Sequence, residues 1–218
     1  MNACTSSSPF PVGKGYLAGL PVLPVPPDCA GDIPDDAACR ALWDKYAMLD
    51  NVRAHSQAVA DVATALAERA AARGFPVSVA AVRASAMLHD IAKSYTIQYG
   101  GSHAQLGASW VVTETRNRAI AQGVMLHVFW PWALVPEEVC ILPIFVIYAD
   151  KRVRHNCCVT LQERFDDLLV RYGKDERARN NIRVAHEQGK TMETALSARL
   201  GWDLNAYTLD SGRLVHGA

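Results

Sequence analysis

No apolar stretch of the sequence reaches the roughly 20 residues that a membrane-crossing helix needs. The longest strongly apolar run, VCILPIFVIYA at 139–149, is closed by Glu138 and Asp150 and predicts a buried helix. Charge of one sign is not in excess either, because Lys plus Arg and Asp plus Glu number 22 each. With no Lys/Arg cluster interleaved with aromatics, neither a membrane nor a nucleic-acid polymer is an expected partner. The six cysteines (Cys4, Cys29, Cys39, Cys140, Cys157 and Cys158) form no C-x-x-C pair, which argues against a zinc knuckle and a disulfide framework. The N-terminal MNACTSSSPFPVGKGYL lacks the basic start, continuous apolar core and cleavage site of a secretory signal. A cytoplasmic protein with free thiols is the expectation. Strand signals are nearly absent, and no internal repeat is visible.

What is present is a helical pattern. At 218 residues, half of them apolar, the chain is long enough for one domain with a sizeable core. Residues 1–35 are rich in Pro, Gly and Ser, as in GLPVLPVPPDCAGDIPDD, and predict an extended arm. Residues 36–218 predict an all-α bundle. NVRAHSQAVADVATALAERAAARG puts Val52, His55, Val59, Val62 and Leu66 on one face and stops at Gly74. SVAAVRASAMLHDIAK starts at the cap residue Ser78 and carries Val82, Ala86, His89 and Lys93 at helical spacing. Ser102 and Gln105 stand at capping-box spacing, which puts His103 in a first helical turn. RAIAQGVMLHVFW aligns Ile120, Val124 and His127. PEEVCILPIFVIYADKRVRH predicts one helix from Pro136, kinked at Pro143, with Val146, Asp150 and Val153 on one stripe. TLQERFDDLLVRYG and DERARNNIRVAHEQGKTMETALSARLG close the bundle.

This reading points six titratable residues inward: His55, His89, Asp90, His103, His127 and Asp150. Adjacent His89 and Asp90, in MLHDIAK, pose the sharpest question, since a buried imidazole and a buried carboxylate each need a partner. A hydrogen-bonded core pair and a metal site both answer it. Six such groups weaken the first answer, because globular cores seldom take so many. Nitrogen and oxygen donors without a thiolate suit iron, manganese, zinc, cobalt or magnesium.

RAHSQAVA, LHDIAK and IYADKRV resemble the signature segments of the HD superfamily of metal-dependent phosphohydrolases. The likeness covers residues 41–155, with His55 34 residues before His89 and Asp150 60 after Asp90. It implies an all-helical bundle in which His55, His89, Asp90 and Asp150 bind one metal. In members with two further histidines between the doublet and the last Asp, the doublet Asp bridges two metals. On that pattern Asp90 takes the bridging role and His103 and His127 hold the second ion. GSHAQLGA, LHVFW and YADK look most like the bacterial HD hydrolases that split diadenosine tetraphosphate symmetrically with a dinuclear iron centre. The resemblance thus implies two divalent ions, iron first and manganese, cobalt, zinc or magnesium as alternatives. It also implies a small phosphorylated substrate of the nucleotide kind, acted on by a monomer or homodimer. FWPW after His127 departs from the small polar residues of those hydrolases.

Asp90 and Lys93 are the catalytic candidates on this reading. Lys93 lies one turn beyond His89, where its ammonium can reach a phosphate; the alternative is a surface lysine at a helix end. Trp130, Lys151 and Arg154 are candidates for substrate binding, against packing for Trp130 and solvated charge for at least two of Lys151, Arg152 and Arg154. His155, His186 and His216 receive no role, and Asp166 and Asp167 fit a solvated helix face. Two rival functions share the ligand order. One is a mixed-valence di-iron oxygenase of the same fold; the other is a non-catalytic nucleotide-sensing module.

Overall fold

A computed structural model of the chain describes residues 31–205 and the backbone of the strands Tyr207–Asp210 and Arg213–His216. Most of the arm expected over residues 1–35 lies outside the described residues, as do Cys4 and Cys29. Cys39, Cys140, Cys157 and Cys158 are free. Among the described residues no helix is long and apolar enough to cross a membrane.

The class is all-α, and the helix starts follow capping chemistry. Helix α1 (Asp36–Lys45) begins where the Asp35 carboxylate accepts from the Ala38 N–H at 2.8 Å. Helix α2 (Asp50–Ala72) buries Val52, His55, Val59, Val62 and Leu66 on one side and ends before Gly74, which adopts φ 85°. Ser78 caps α3 (Val79–Leu88), and Ser102 caps α5 (His103–Thr115), each accepting from the N–H three residues on. Between them lies the short α4 (Lys93–Tyr99). Asn117 caps α6 (Arg118–Leu126).

Small residues let these helices approach closely. Helix α2 lies along α3, where Ala81, Ala84 and Ala86 are buried, and α3 in turn packs on α6 and on α7 (Leu142–Lys151). Helix α7 is the centre of the core, with Ile144, Phe145, Val146, Ile147 and Tyr148 all buried. The single kinked helix expected from Pro136 is instead two elements, a 3-10 turn at Pro136–Glu138 and then α7. Pro143 explains the break: it has no N–H to donate and its ring clashes with a preceding helical carbonyl, so it fits the first turn rather than an interior.

The all-helical expectation misses two short hairpins. Strands β1 (Val153–Arg154) and β2 (Cys157–Cys158) pair antiparallel directly after α7, and β3 (Tyr207–Asp210) pairs with β4 (Arg213–His216). Two-residue strands are too short to show an alternating pattern. Helices α8 (Leu161–Tyr172) and α9 (Glu176–Leu200) pack on each other, α8 opening with a complete capping box from Thr160 and Glu163.

Candidate metal centre

The helix ends of this bundle carry the inward residues. Helices α3 and α6 stop one residue short of His89 and His127, which serve as their C-caps. The last carbonyls of a helix have no intrahelical donor. Each histidine supplies one: His89 Nδ1 is 2.7 Å from the Ala86 carbonyl and His127 Nδ1 is 2.7 Å from that of Val124. His55, from α2, is anchored likewise, its Nδ1 2.8 Å from the carbonyl of His155 in the β1–β2 turn. All three rings are thereby oriented with Nδ1–H donating to the main chain and Nε2 facing the interior. His89 and Asp90 therefore do not ride on a helix interior as the pattern suggests. They occupy the turn that joins α3 to α4.

The carboxylates face these Nε2 atoms. Asp150 Oδ1 lies 2.9 Å from His55 Nε2 and 3.9 Å from His89 Nε2. Asp90 is 1% exposed, and its two oxygens face different neighbours. Oδ2 is 3.4 Å from His89 Nε2 and 2.7 Å from Lys93 Nζ; Oδ1 is 3.4 Å from His103 Nε2 and 3.5 Å from His127 Nε2. Buried His89 Nε2 and Asp90 Oδ1 have no hydrogen-bond partner. Polar atoms left unpaired at 0–1% exposure are costly in a hydrogen-bonded core and expected of donors that would ligate a metal ion. Two triads, His55–His89–Asp150 and His89–Asp90–His127, bring their donor atoms within 4.8 Å of one another and could each hold a metal ion. The donors are nitrogen and oxygen throughout, which fits a divalent ion of the iron, manganese, cobalt, zinc or magnesium kind.

Electrostatics point the same way. Burial opposes ionisation of Asp90, but His89, His127 and Lys93 outweigh it and hold the carboxyl well below the usual range. Burial likewise works against Asp150, and His55, His89 and Arg164 outweigh it. Burial drives His103 down to about 4 against the pull of Asp90, so its ring is neutral at pH 7, as a ligand must be.

Residues 52–154 match the family model of the HD domain. Over that stretch, a little under half of its length, the chain is similar to the HD domain. The matched stretch contains all six residues of the cluster, from His55 to Asp150. HD domains form a superfamily of metal-dependent phosphohydrolases that bind divalent ions. No curated protein and no solved structure matches the chain.

Beside the His/Asp cluster lies a cavity of about 620 Å³, lined by His55, Asp90, His103, His127 and Asp150. Lys93 and Lys151 share its wall, but Trp130 and Arg154 do not. Trp130 is held on both sides of its main chain by the Gln188 amide, at 3.1 and 2.7 Å, and packs edge-on against Trp132, so packing is its role. The solvated reading fails for Lys151 and Arg152, which are buried. Lys151 Nζ donates to the Val128 carbonyl at 3.1 Å, and burial pulls its pKa down to about 8. Arg152 donates to the Val159 and Leu204 carbonyls, both at 2.6 Å, tying the β1–β2 hairpin and the end of α9 to α7. Asp167 is also not a solvated acid, since it sits 3.6 Å from Arg164 and 3.5 Å from Arg171.

Three cavity residues escaped the sequence reading. His155 adopts φ 58° in the hairpin turn and lends its carbonyl to His55. Arg164 and Arg171 line the cavity from α8. Their seven-residue separation on an amphipathic helix was the available signal.

Proposed function

We propose that this chain hydrolyses a phosphoester or phosphoanhydride bond of a nucleotide or dinucleoside polyphosphate, using two divalent ions held by His55, His89, Asp90, His103, His127 and Asp150. The observation that carries the reading is the division of the Asp90 carboxylate, with one oxygen toward His89 and the other toward His103 and His127. That is the placement a bridging ligand requires.

The chemistry asks little of the protein beyond position and charge. Bound divalent ions would supply Lewis acidity, polarising a phosphoryl oxygen and making hydroxide accessible at neutral pH. Hydrolysis then forms one P–O bond from water and breaks the P–O bond to the leaving group, whose oxygen keeps the electron pair and takes up a proton. His55, His89 and His127 act as rigid donors because their Nδ1 atoms are anchored to the main chain. Lys93, at 2.7 Å from Asp90, keeps a cation at the cavity wall, where negative charge develops on phosphoryl oxygens. Asn51, Asn181, Ile97, Leu168 and Ile182 line the same cavity and offer amides beside apolar surface, a lining suited to a nucleoside. Resemblance to the diadenosine tetraphosphate hydrolases favours iron and that substrate.

The test is elemental analysis of protein purified without dioxygen, followed by a panel of nucleotides and dinucleoside polyphosphates assayed for phosphate or nucleotide release with and without dioxygen. Two ions per chain and dioxygen-independent release are expected. One ion per chain would reduce His103 and His127 to pocket residues. Turnover only in the presence of dioxygen would favour an oxygenase, and no restorable metal would leave a binding module.

A further inference from the structure

Helix α8 presents Arg164, Phe165, Leu168, Arg171 and Tyr172 to the cavity, positions that recur at three- to four-residue spacing on one face. The Arg164 side chain is only 11% exposed. Its contacts are nonetheless loose: Nη2 lies 4.0 Å from Asp150 Oδ1, Nη1 lies 3.6 Å from Asp167 Oδ2, and buried Nε has no hydrogen-bond partner. A guanidinium carries five donors in a planar fork. Holding that fork out of water without one side-chain hydrogen bond of ordinary length is a poor arrangement for a group that serves only to neutralise carboxylates.

Arg171, seven residues along α8, reaches the same Asp167 oxygen at 3.5 Å. Asp167 therefore draws both guanidiniums to one edge of the cavity and saturates neither, which makes it a positioning residue. The two lysines of the cavity are committed elsewhere, Lys93 to Asp90 at 2.7 Å and Lys151 to the Val128 carbonyl at 3.1 Å. The arginines have the open donors, and a guanidinium fork matches the oxygens of a phosphate in a way that an ammonium point charge does not.

We infer that Arg164 and Arg171 form a clamp for two linked phosphoryl groups of the substrate. Arg164, beside Asp150, takes the group that sits at the His/Asp cluster, and Arg171 takes the next one. The inference rests on the phosphohydrolase reading of that site and narrows it to substrates with a phosphoanhydride, in preference to simple phosphomonoesters.

The experiment is calorimetric titration of the metal-loaded protein with imidodiphosphate, which resists hydrolysis, and with orthophosphate, measuring bound metal after each run. Imidodiphosphate should bind the wild type at least about tenfold tighter. R171Q, at a side chain 43% exposed and away from the core, should bring the two probes to within about threefold while keeping orthophosphate affinity and metal content. R164Q should weaken both probes, and R164K should recover only part of the loss, because the charge returns without the fork. Equal affinity of the wild type for both probes, binding of neither, or an unchanged preference in R171Q would overturn the clamp. If metal loads and nucleotides are hydrolysed while R171Q keeps its preference, the clamp fails and the hydrolase reading stands. If no substrate turns over yet the preference depends on Arg171, the clamp stands without the hydrolase.

Discussion

His103 and His127 face each other through their Nε2 atoms at 3.1 Å. His127 Nδ1 donates to the Val124 carbonyl, which turns its Nε2 toward His103. An ion bound there would displace a proton from between them, so both nitrogens would become ligands together. H103A and H127A should each lower the metal content from two ions per chain to one and leave His55, His89 and Asp150 loaded. Elemental analysis reads the outcome directly. Two ions retained in both variants would remove these histidines from the centre.

Asp90 stands between the two histidine sets, so D90A takes a donor from both and should lose both ions. Stability offers a second readout. Free metal at 100 times its Kd adds about 2.7 kcal/mol to the fold. For a chain of this size that is about 5–10 °C in Tm. Chelation should lower the wild-type Tm by roughly that amount and leave D90A unmoved. A D90A protein whose Tm still falls on chelation would hold its ions without Asp90.

The parts of the site that the sequence made legible are those governed by local rules. Helical spacing put His55 among Val52, Val59 and Val62, and cap residues Ser78 and Ser102 marked where α3 and α5 start. The ends of α3 and α6 were not legible, because a histidine that caps its own helix through a carbonyl three residues back looks like one more residue on the stripe. Lys151 and Arg152 were misread for a different reason: their acceptors, the carbonyls of Val128, Val159 and Leu204, come from other elements. The α8 wall depends on how α8 and α9 fold back over the cluster, which periodicity within α8 does not encode.

Acid should weaken the fold through Asp36. Its carboxylate opens α1 and accepts from Arg83 Nε and Nη2, both at 2.7 Å, joining α1 to α3. Hydrogen bonding to Arg83 outweighs partial burial and holds the Asp36 carboxyl below its usual value. A carboxyl with a lowered folded pKa stabilises above its unfolded pKa, about 3.9, and that contribution is lost as pH falls through the folded value. D36N should therefore cost about 1 kcal/mol at neutral pH, discounted for the third of the side chain that faces solvent. Urea unfolding of both proteins from neutral pH downward should show the difference shrinking below about pH 4. A gap that stays constant with pH would sink this assignment.

Gly123 couples the packing of the bundle to the metal centre. It lies in α6, four residues before His127, at the point where α6 crosses α3 and meets the start of α7. A Cβ built there collides with Ser85 Oγ and with Leu142 Cδ2. Ser85 cannot simply turn away, because its hydroxyl donates to the Ile120 carbonyl at 2.9 Å and both groups are buried. G123A should therefore push α6 outward rather than be absorbed, at about 1–3 kcal/mol of stability by urea unfolding. The displacement carries His127 away from Asp90 and His103. Metal content should fall toward one ion per chain even though no ligand has changed. The Gly107→Ala variant separates this effect from general loosening: a Cβ there meets Val124 Cγ1 at 3.2 Å and Ile91 Cγ2 at 3.3 Å, contacts that a shift of a few tenths of an ångström relieves. G107A should lose less stability than G123A and keep both ions. Equal loss of metal in the two variants would mean that α6 does not set the position of His127.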